Sequence, residues 1–465
     1  MTQKAVITQT VPKTIPQLRG WPLIGNAPQL QKDAIGTIDQ AWKDLGDVFK
    51  LMIGPNASVV VSHPKLAEDI LIEGKHLFQR PKTFEGGTLL TLFLGDSVLT
   101  VDGDSWLMKR RLMQPIFHRQ RIVTMGDKMT SAMSNMIERW QKLSQNQVLN
   151  LPEEMKLVTL DIINRTMFNV NVLPEVDKIG HVVDVGVHFM NRYAQSPVRL
   201  PLSWPLPSHN KFHDAKATMN NFLDKVIRER RAERQAQPDM HTGDLLDMLL
   251  EARDEVTGMG MSDEQVRSEV ATVYGAGHET TALALTWTWY ALMQHPDKLK
   301  RLQDEVDSVL QGRSPTMADL PRLPYTLATL EESLRLYPPV PMTVRMANED
   351  AEVGGYTVKK NTVVVIAVNN IHRHPDFWPR PESFEPERFL PENKTLLNRH
   401  AYMPFLVGPH LCIGVNFALM EGQLLLAGMA QKYTMTLEPG QTIFKEQAVT
   451  MRPKFGMHVR LEARA

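Results

Sequence analysis

The sequence predicts a mainly α fold with a small β portion, built as one compact unit. Three observations carry that expectation. From Asp239 to His295 there is no proline, so the middle of the chain reads as helical. Near the start, VFKLMI (Val48 to Ile53) and SVVV (Ser58 to Val61) flank Gly54-Pro55-Asn56, the signature of a β-hairpin. Between Pro338 and Pro391 there are eight prolines, marking a looped later part in which YTVKKNTVVVIAV (Tyr356 to Val368) is a second β signal. A length of 465 residues would suggest about three domains at ~150 residues each. No internal repeat, low-complexity tract or long linker separates them, however. A single domain over 1–465 is therefore expected, with residues 1–30 as a Pro-rich lead-in.

Composition narrows the function classes. Hydrophobic residues make up 43% and charged residues 22%, ordinary for a globular protein with a large core. Lys+Arg and Asp+Glu are both 52, so there is no global electrostatic case for nucleic acid. Lys4, Lys13, Arg19 and four prolines break up the first thirty residues, which excludes a signal-peptide apolar core there. The uncharged stretch Thr280 to Gln294 is shorter than the ~20 residues a bilayer crossing needs. A soluble, cytoplasmic protein without a transmembrane anchor is expected.

The clearest helix begins at Ser262, where Ser262 and Gln265 have capping-box spacing, and runs to about His295, roughly 45–50 Å at 1.5 Å per residue. Its middle, Gly275-Ala276-Gly277-His278-Glu279-Thr280-Thr281, combines glycines and β-branched residues that disfavour a helix. Two explanations stand side by side: a close helix crossing over small residues, or a distorted turn that makes room for a ligand beside Glu279 and Thr280. A further helix, Tyr325 to Leu336, carries Arg335 with Glu331 at i,i+4 and Glu332 at i,i+3, and spacing alone does not choose between them.

Cys412 is the one cysteine, so no intrachain disulfide forms. It lies in the Gly/Pro-shaped loop Phe405-Leu-Val-Gly408-Pro409-His410-Leu-Cys412-Ile-Gly414, ahead of a helical pattern from Ile413 to about Lys432. A helix N-terminus favours the thiolate, the form that ligates metal. Zinc is disfavoured, because no second cysteine accompanies it. A single thiolate does suffice as an axial ligand to haem iron. Without its neighbours, such a cysteine reads as a small buried hydrophobe.

The Phe405 to Gly414 loop resembles the haem-binding signature of the cytochrome P-450 haem-thiolate monooxygenases, Phe-x-x-Gly-x-Arg/His-x-Cys-x-Gly. Four further segments agree in order and spacing. Ala276-Gly277-His278-Glu279-Thr280-Thr281 is similar to the family's oxygen-activation motif in its long central helix. Glu332-Ser333-Leu334-Arg335 is similar to its Glu-x-x-Arg element, and Pro386-Glu387-Arg388-Phe389 to the motif whose arginine joins that pair. Trp106-Leu-Met-Lys-Arg110 looks like its Trp-x-x-x-Arg.

The resemblance implies haem b between the long central helix and the cysteine-loop helix, with Cys412 as axial ligand and metal-binding residue. Trp106, Arg110, Arg345 and His410 become candidates for the two propionates, with Phe405 and Gly414 shaping the cofactor loop. Glu332, Arg335 and Arg388 become a structural network. Thr280 would hold a water or the distal oxygen, and Glu279 would relay protons. Phe84, Leu89, Leu90, Phe93, Val273, Ala276, Val344 and Val449 are candidate pocket residues for an apolar substrate: fatty acid, terpenoid or steroid. The loop Ser196 to Pro207 resembles the pocket entrance, and Arg199 is a candidate carboxylate contact.

Electrons would come from a separate ferredoxin or flavodoxin with its reductase, docking on the cysteine-side face. Lys109, Arg110, Arg111, Arg119 and Arg121, with no acid between Ser105 and Gly126, are the candidate surface. A peroxygenase using hydrogen peroxide and a non-catalytic haem sensor are the competing readings. Neither needs the Glu279/Thr280 pair, which serves O₂ activation with delivered protons.

Overall fold

The β-branched runs near the N-terminus pair as their pattern requires. The computed structural model describes residues 14–81, 90–143, 147–169 and 180–464, apart from 181, 184, 187, 191, 194–195, 197–199, 238–241 and 448. Strands β1 (Val48–Ile53) and β2 (Asn56–Val61) pair antiparallel from Val48↔Val61 to Ile53↔Asn56, so Gly54-Pro55 alone forms the turn. Gly54 has φ +58°, which an L side chain adopts at a cost. The expected lead-in is partly built into this sheet: Lys50 donates to the Pro16 carbonyl and Leu18 to that of Lys50, before helix α1 (Ala27–Leu45).

The later strands are β3 (Phe78–Gln79), β4 (Val148–Asn150), β5 (Thr343–Ala347), β6 (Ala351–Val353), β7 (Tyr356–Val358) and β8 (Val363–Ile366). The main sheet runs β1-β2-β8-β5-β3, with β2 and β8 parallel and the other pairs antiparallel. The Tyr356 to Val368 signal thus divides in two. Its first part pairs with β6, its second enters the main sheet, and Asn361 at φ +64° lies in the connection. Near the C-terminus, β9 (Tyr433–Leu437) and β12 (His458–Ala463) join β4, while β10 (Lys445–Gln447) and β11 (Met451–Pro453) form a separate hairpin.

The principal later helices are α2 (Gly103–Met113), α3 (Gly126–Gln141), α4 (Leu151–Phe168), α5 (Pro207–Ala236), α6 (Asp263–Gln294), α7 (Pro324–Leu336) and α8 (Val415–Lys432). Helix α6 is the predicted long helix, and its capping box is complete: Gln265 N–H donates to Ser262 Oγ at 3.3 Å and Ser262 N–H to Gln265 Oε1 at 2.8 Å. No helix among the described residues is long and apolar enough to cross a membrane. The distorted-turn explanation of Gly275 to Thr281 is not realised, because α6 is helical throughout. The close crossing is: a Cβ on Gly277 would stand 2.9 Å from Ile163 Cδ1 on α4. Beside it, Thr159 Oγ1 of α4 donates to the His278 carbonyl at 3.0 Å.

The ambiguity at Arg335 resolves toward Glu332. Its carboxylate takes Arg335 Nε–H at 2.7 Å and Nη2–H at 2.8 Å, with both side chains fully buried. Glu331 instead pairs with Lys394. The remaining Arg335 N–H groups donate to the carbonyls of His372, Pro381 and Ser383 at 2.9, 2.7 and 3.0 Å, so all five donors are used. Arg388 stands 3.5 Å from Glu332 Oε1, and Glu385 N–H donates to that same oxygen. Buried His372 extends the network: its Nδ1–H faces the Arg335 carbonyl at 3.1 Å, and its Nε2 accepts from Met403 N–H at 2.9 Å, just ahead of the cysteine loop. Removing one member leaves a buried charge without its partner. Glu332→Ala should lower the unfolding free energy by about 3–5 kcal/mol, read from urea titration, and should reduce haem retention. A loss under about 1 kcal/mol would mean that the pair behaves as a solvated one.

Candidate active site

The cysteine loop is shaped by backbone geometry. Leu406 and Gly408 have φ of +61° and +76°, and a Cβ on Gly408 would meet the Leu71 carbonyl oxygen at 2.7 Å, so the loop packs where only glycine fits. Cys412 N–H closes the loop on the Phe405 carbonyl at 2.9 Å, and Gly414 caps α8. Gly414 N–H and the Arg110 guanidinium both favour the Cys412 thiolate. Solvent reaches the side chain, yet protein atoms crowd it, and this burial outweighs them and pushes the thiol up. The Gly414 N–H is the group the helix start predicts and Arg110 of α2 adds to it, but the net direction is set by burial.

Positive charge gathers beside this loop. Arg345, on β5, is 4% exposed, and its bonds go to Thr343 Oγ1 and the Val344 carbonyl through Nη1 alone. Burial and neighbouring Arg80 bring its pKa down to about 10. Arg80 donates to the Val98 and Val101 carbonyls and to His410 Nδ1, the last at 2.9 Å. Arg110 donates to the Leu411 carbonyl at 2.9 Å, and the Trp106 and His410 rings lie 4.4 Å apart. His410 is neutral: burial, then Arg80, Arg345 and Arg110, bring its pKa down to about 3. With Nδ1 accepting from Arg80, its Nε2–H faces Asp102 Oδ1 at 3.6 Å. His410 thus orients Arg80 rather than supplying a cation.

Arg80 is the residue that sequence reasoning missed, since an arginine before a proline carries no spacing signal. Three guanidiniums with Asp102 as the carboxylate acting among them leave a positive excess in a largely desolvated place. That donor set suits a group bearing two carboxylates, as haem does.

On the opposite wall, Val273, Ala276 and Thr280 follow one another along one face of α6. Ala276 is exposed although it lies mid-helix, which marks an opening on that face. Thr280 Oγ1 donates back to the Ala276 carbonyl at 2.7 Å, and its lone pairs remain to accept. Glu279 Oε1 accepts from Thr450 Oγ1 at 2.9 Å, a contact not readable from sequence. Thr450 is buried and fixed, because next to it Met451 N–H bonds the Pro339 carbonyl and the Met451 carbonyl accepts from Trp287 Nε1 of α6.

Other expected residues divide. Val344 and Val449 are 37% and 39% exposed, and Leu90 and Val273 are half-buried. Phe93 is corrected: at 1% exposure it packs on Phe212 of α5 and belongs to the core. Phe84, Leu89 and Arg199 lie outside the described residues, as does part of the Ser196 to Pro207 loop. The basic stretch is corrected as well. Lys109 is buried against Glu269 of α6 at 3.4 Å, and Arg111 pairs with Asp254 at 2.8 Å, because α2 turns one side into the core. Arg119 and Arg121 are exposed as expected.

Elsewhere, Asp47, His63 and His374 bring ligand-type atoms within 4.8 Å of one another. Both rings accept backbone N–H groups at Nδ1, from Lys65 and Asp376, so their protons sit on Nε2 and oppose ligation there.

Comparison with known proteins agrees with this geometry. A family model described as cytochrome P-450 matches residues 15–459. Cyclooctatin synthase of Streptomyces melanosporofaciens is 33% identical over 91% of this chain and 90% of its own. Cyclooctat-9-en-7-ol 5-monooxygenase of the same organism is 32% identical, over 86% and 84%. The crystal structure of the cytochrome P-450DA heme domain superposes with a TM-score of 0.89 at 28% identity, covering 98% of this chain and 99% of that one. With its one cysteine in the loop before α8 and three arginines beside it, the chain belongs to the cytochrome P-450 family, whose members bind haem through a cysteine thiolate.

Proposed function

We propose that this monooxygenase oxidises an apolar cyclic skeleton of the terpenoid kind, drawing its electrons from a separate acidic redox protein. The observation that carries the reading is the α6 wall: Thr280 and Glu279 side by side, with Glu279 held by Thr450. Bound haem supplies the O₂-binding and oxidising chemistry. Cys412 would ligate its iron, and Arg80, Arg110, Arg345 and Trp106 would hold its carboxylates.

The chain's own residues then manage protons. The Thr280 hydrogen is committed to the Ala276 carbonyl, so Thr280 Oγ1 acts as an acceptor that positions a water's proton. The Glu279 carboxylate, fixed at one oxygen by Thr450, keeps the other for relay. Val273, Ala276, Val344 and Val449 offer the substrate an apolar surface. The terpenoid class is supported by the two Streptomyces relatives, one of which by its name oxygenates a cyclic alkenol. The redox partner is supported by exposed Arg119 and Arg121, which follow α2 on the cysteine side.

Thr280→Ala should leave substrate affinity nearly unchanged while reductant is diverted from product to hydrogen peroxide. Glu279→Gln should slow turnover by about 10²-fold with a larger solvent isotope effect. Coupling of Thr280→Ala equal to the parent on a tightly bound substrate would remove the assignment, and product formed faster from added peroxide than from O₂ and reductant would favour a peroxygenase.

Charge reversal tests the docking face. Arg119→Glu and Arg121→Glu should slow electron transfer from an acidic ferredoxin several-fold at low salt. The difference should vanish toward 1 M salt, where the Debye length is about 3 Å. Rates independent of ionic strength in parent and variants alike would place the partner elsewhere.

A further inference from the structure

Glu269 lies on α6 ahead of Glu279, is 0% exposed and has no part in the proton handling described above. Both its oxygens accept the Val98 N–H, at 3.0 and 3.1 Å, and its Oε1 lies 3.4 Å from the buried Lys109 ammonium of α2. Burial pushes the Glu269 carboxyl up, and the Val98 N–H and Lys109 oppose this. One residue earlier on α6 the same loop comes close a second time: a Cβ on Gly95, which has φ +76°, would stand 2.5 Å from Ser268 Oγ. The turn also closes on itself, with Thr100 N–H donating to the Ser97 carbonyl at 2.9 Å and Thr100 Oγ1 to the Gly95 carbonyl at 2.7 Å. Three of its acceptors hold Arg80. The Val98 and Val101 carbonyls take both Nη1 hydrogens, at 3.3 and 2.9 Å, and Asp102 Oδ2 accepts the Arg80 backbone N–H at 3.1 Å. With one Nη2 hydrogen directed to His410, the other remains for a carboxylate.

We propose that Glu269 is a positioning residue for the cofactor: by holding the Val98 N–H it fixes the 98–102 turn, and through the carbonyls of that turn it keeps the Arg80 guanidinium in place for a haem carboxylate. Lys109 is the counter-charge that lets a carboxylate stand there without water. A carboxylate suits the task, because a hydrogen bond to a charged acceptor is roughly twice as strong as one to a neutral group. A turn held in this way sets the guanidinium before the cofactor arrives. The inference rests on the reading, given above, that Arg80 holds a haem carboxylate.

Resonance Raman bands of the haem propionates, read on the whole haem-loaded protein without substrate, report the hydrogen bonds that reach those carboxylates. Arg80→Leu should shift a propionate band. Glu269→Leu with Lys109→Met removes the acceptor and its counter-charge together. It should shift the same band in the same direction, and adding Arg80→Leu should shift it no further. Glu269→Gln with Lys109→Met keeps an oxygen for the Val98 N–H and should match the parent. Amide hydrogen exchange reads the bond itself: the Val98 N–H should exchange about tenfold faster or more in the leucine double variant and near the parent rate in the glutamine one. A leucine double variant that loses stability but keeps the parent's propionate bands or Val98 rate, a glutamine double variant that behaves like it, or band shifts that add overturn the proposal. Should the leucine double variant fail to fold, Glu269→Ser with Lys109→Met, whose serine is too short to reach Val98, reads the same outcome. Bands unmoved by Arg80→Leu would defeat the Arg80 reading and this proposal with it, whereas bands moved by Arg80→Leu alone would overturn only the role of Glu269.

Discussion

A guanidinium with no exposed surface must find an acceptor for every N–H, and Arg335 meets that demand from three separate parts of the chain. Glu332 on its own helix takes two, and the carbonyls of His372, Pro381 and Ser383 take the rest. The Pro-rich segment after β8 forms no regular sheet or long helix of its own, so this buried hub supplies the order that a backbone ladder would otherwise give. Through His372 and Met403 that order reaches the cysteine loop. The placement of Cys412 thus depends on a charge pair buried outside its own loop.

The site itself is organised by unequal charge on its walls. On the cysteine side, Arg80, Arg110 and Arg345 outnumber Asp102, and neutral His410 orients the first of them. On the α6 side, the Glu279 carboxylate is held by the Thr450 hydroxyl instead of a cation. Lys109 and Glu269 connect the two sides in the core, and Glu269 also accepts Val98 N–H with both oxygens, at 3.0 and 3.1 Å, on the segment whose carbonyls bind Arg80. The arginine cluster and helix α6 are thereby joined through buried contacts.

Much of this was legible in the chain. The capping box at Ser262, the hairpin at Gly54 and the helix before Arg335 follow from local rules, and the structure places each within a residue or two. The Cys412 loop was legible because its glycines answer a steric demand, as the Leu71 carbonyl against Gly408 demonstrates. What local pattern could not reach were pairings across long sequence separation. Arg80 meets His410, Thr450 meets Glu279, and Lys109 meets Glu269, and none of these has a spacing to betray it. The basic run in α2 misled for the same reason: charge was visible in the sequence, but which side of the helix is buried was not. Phe93 shows the converse, an apolar residue whose core position and pocket position look alike until its neighbours are known.

The central claim is that Cys412, presented by this loop ahead of α8, is the ligand to haem iron around which everything else is arranged. The reduced protein's carbon monoxide difference spectrum tests it most directly, compared between the parent and Cys412→Ser. The account predicts a strongly red-shifted Soret band in the parent, its loss in the variant, and haem still bound through the Arg80, Arg110 and Arg345 cluster. A variant that keeps the red-shifted band, or a haem-loaded parent that lacks it, would contradict the account.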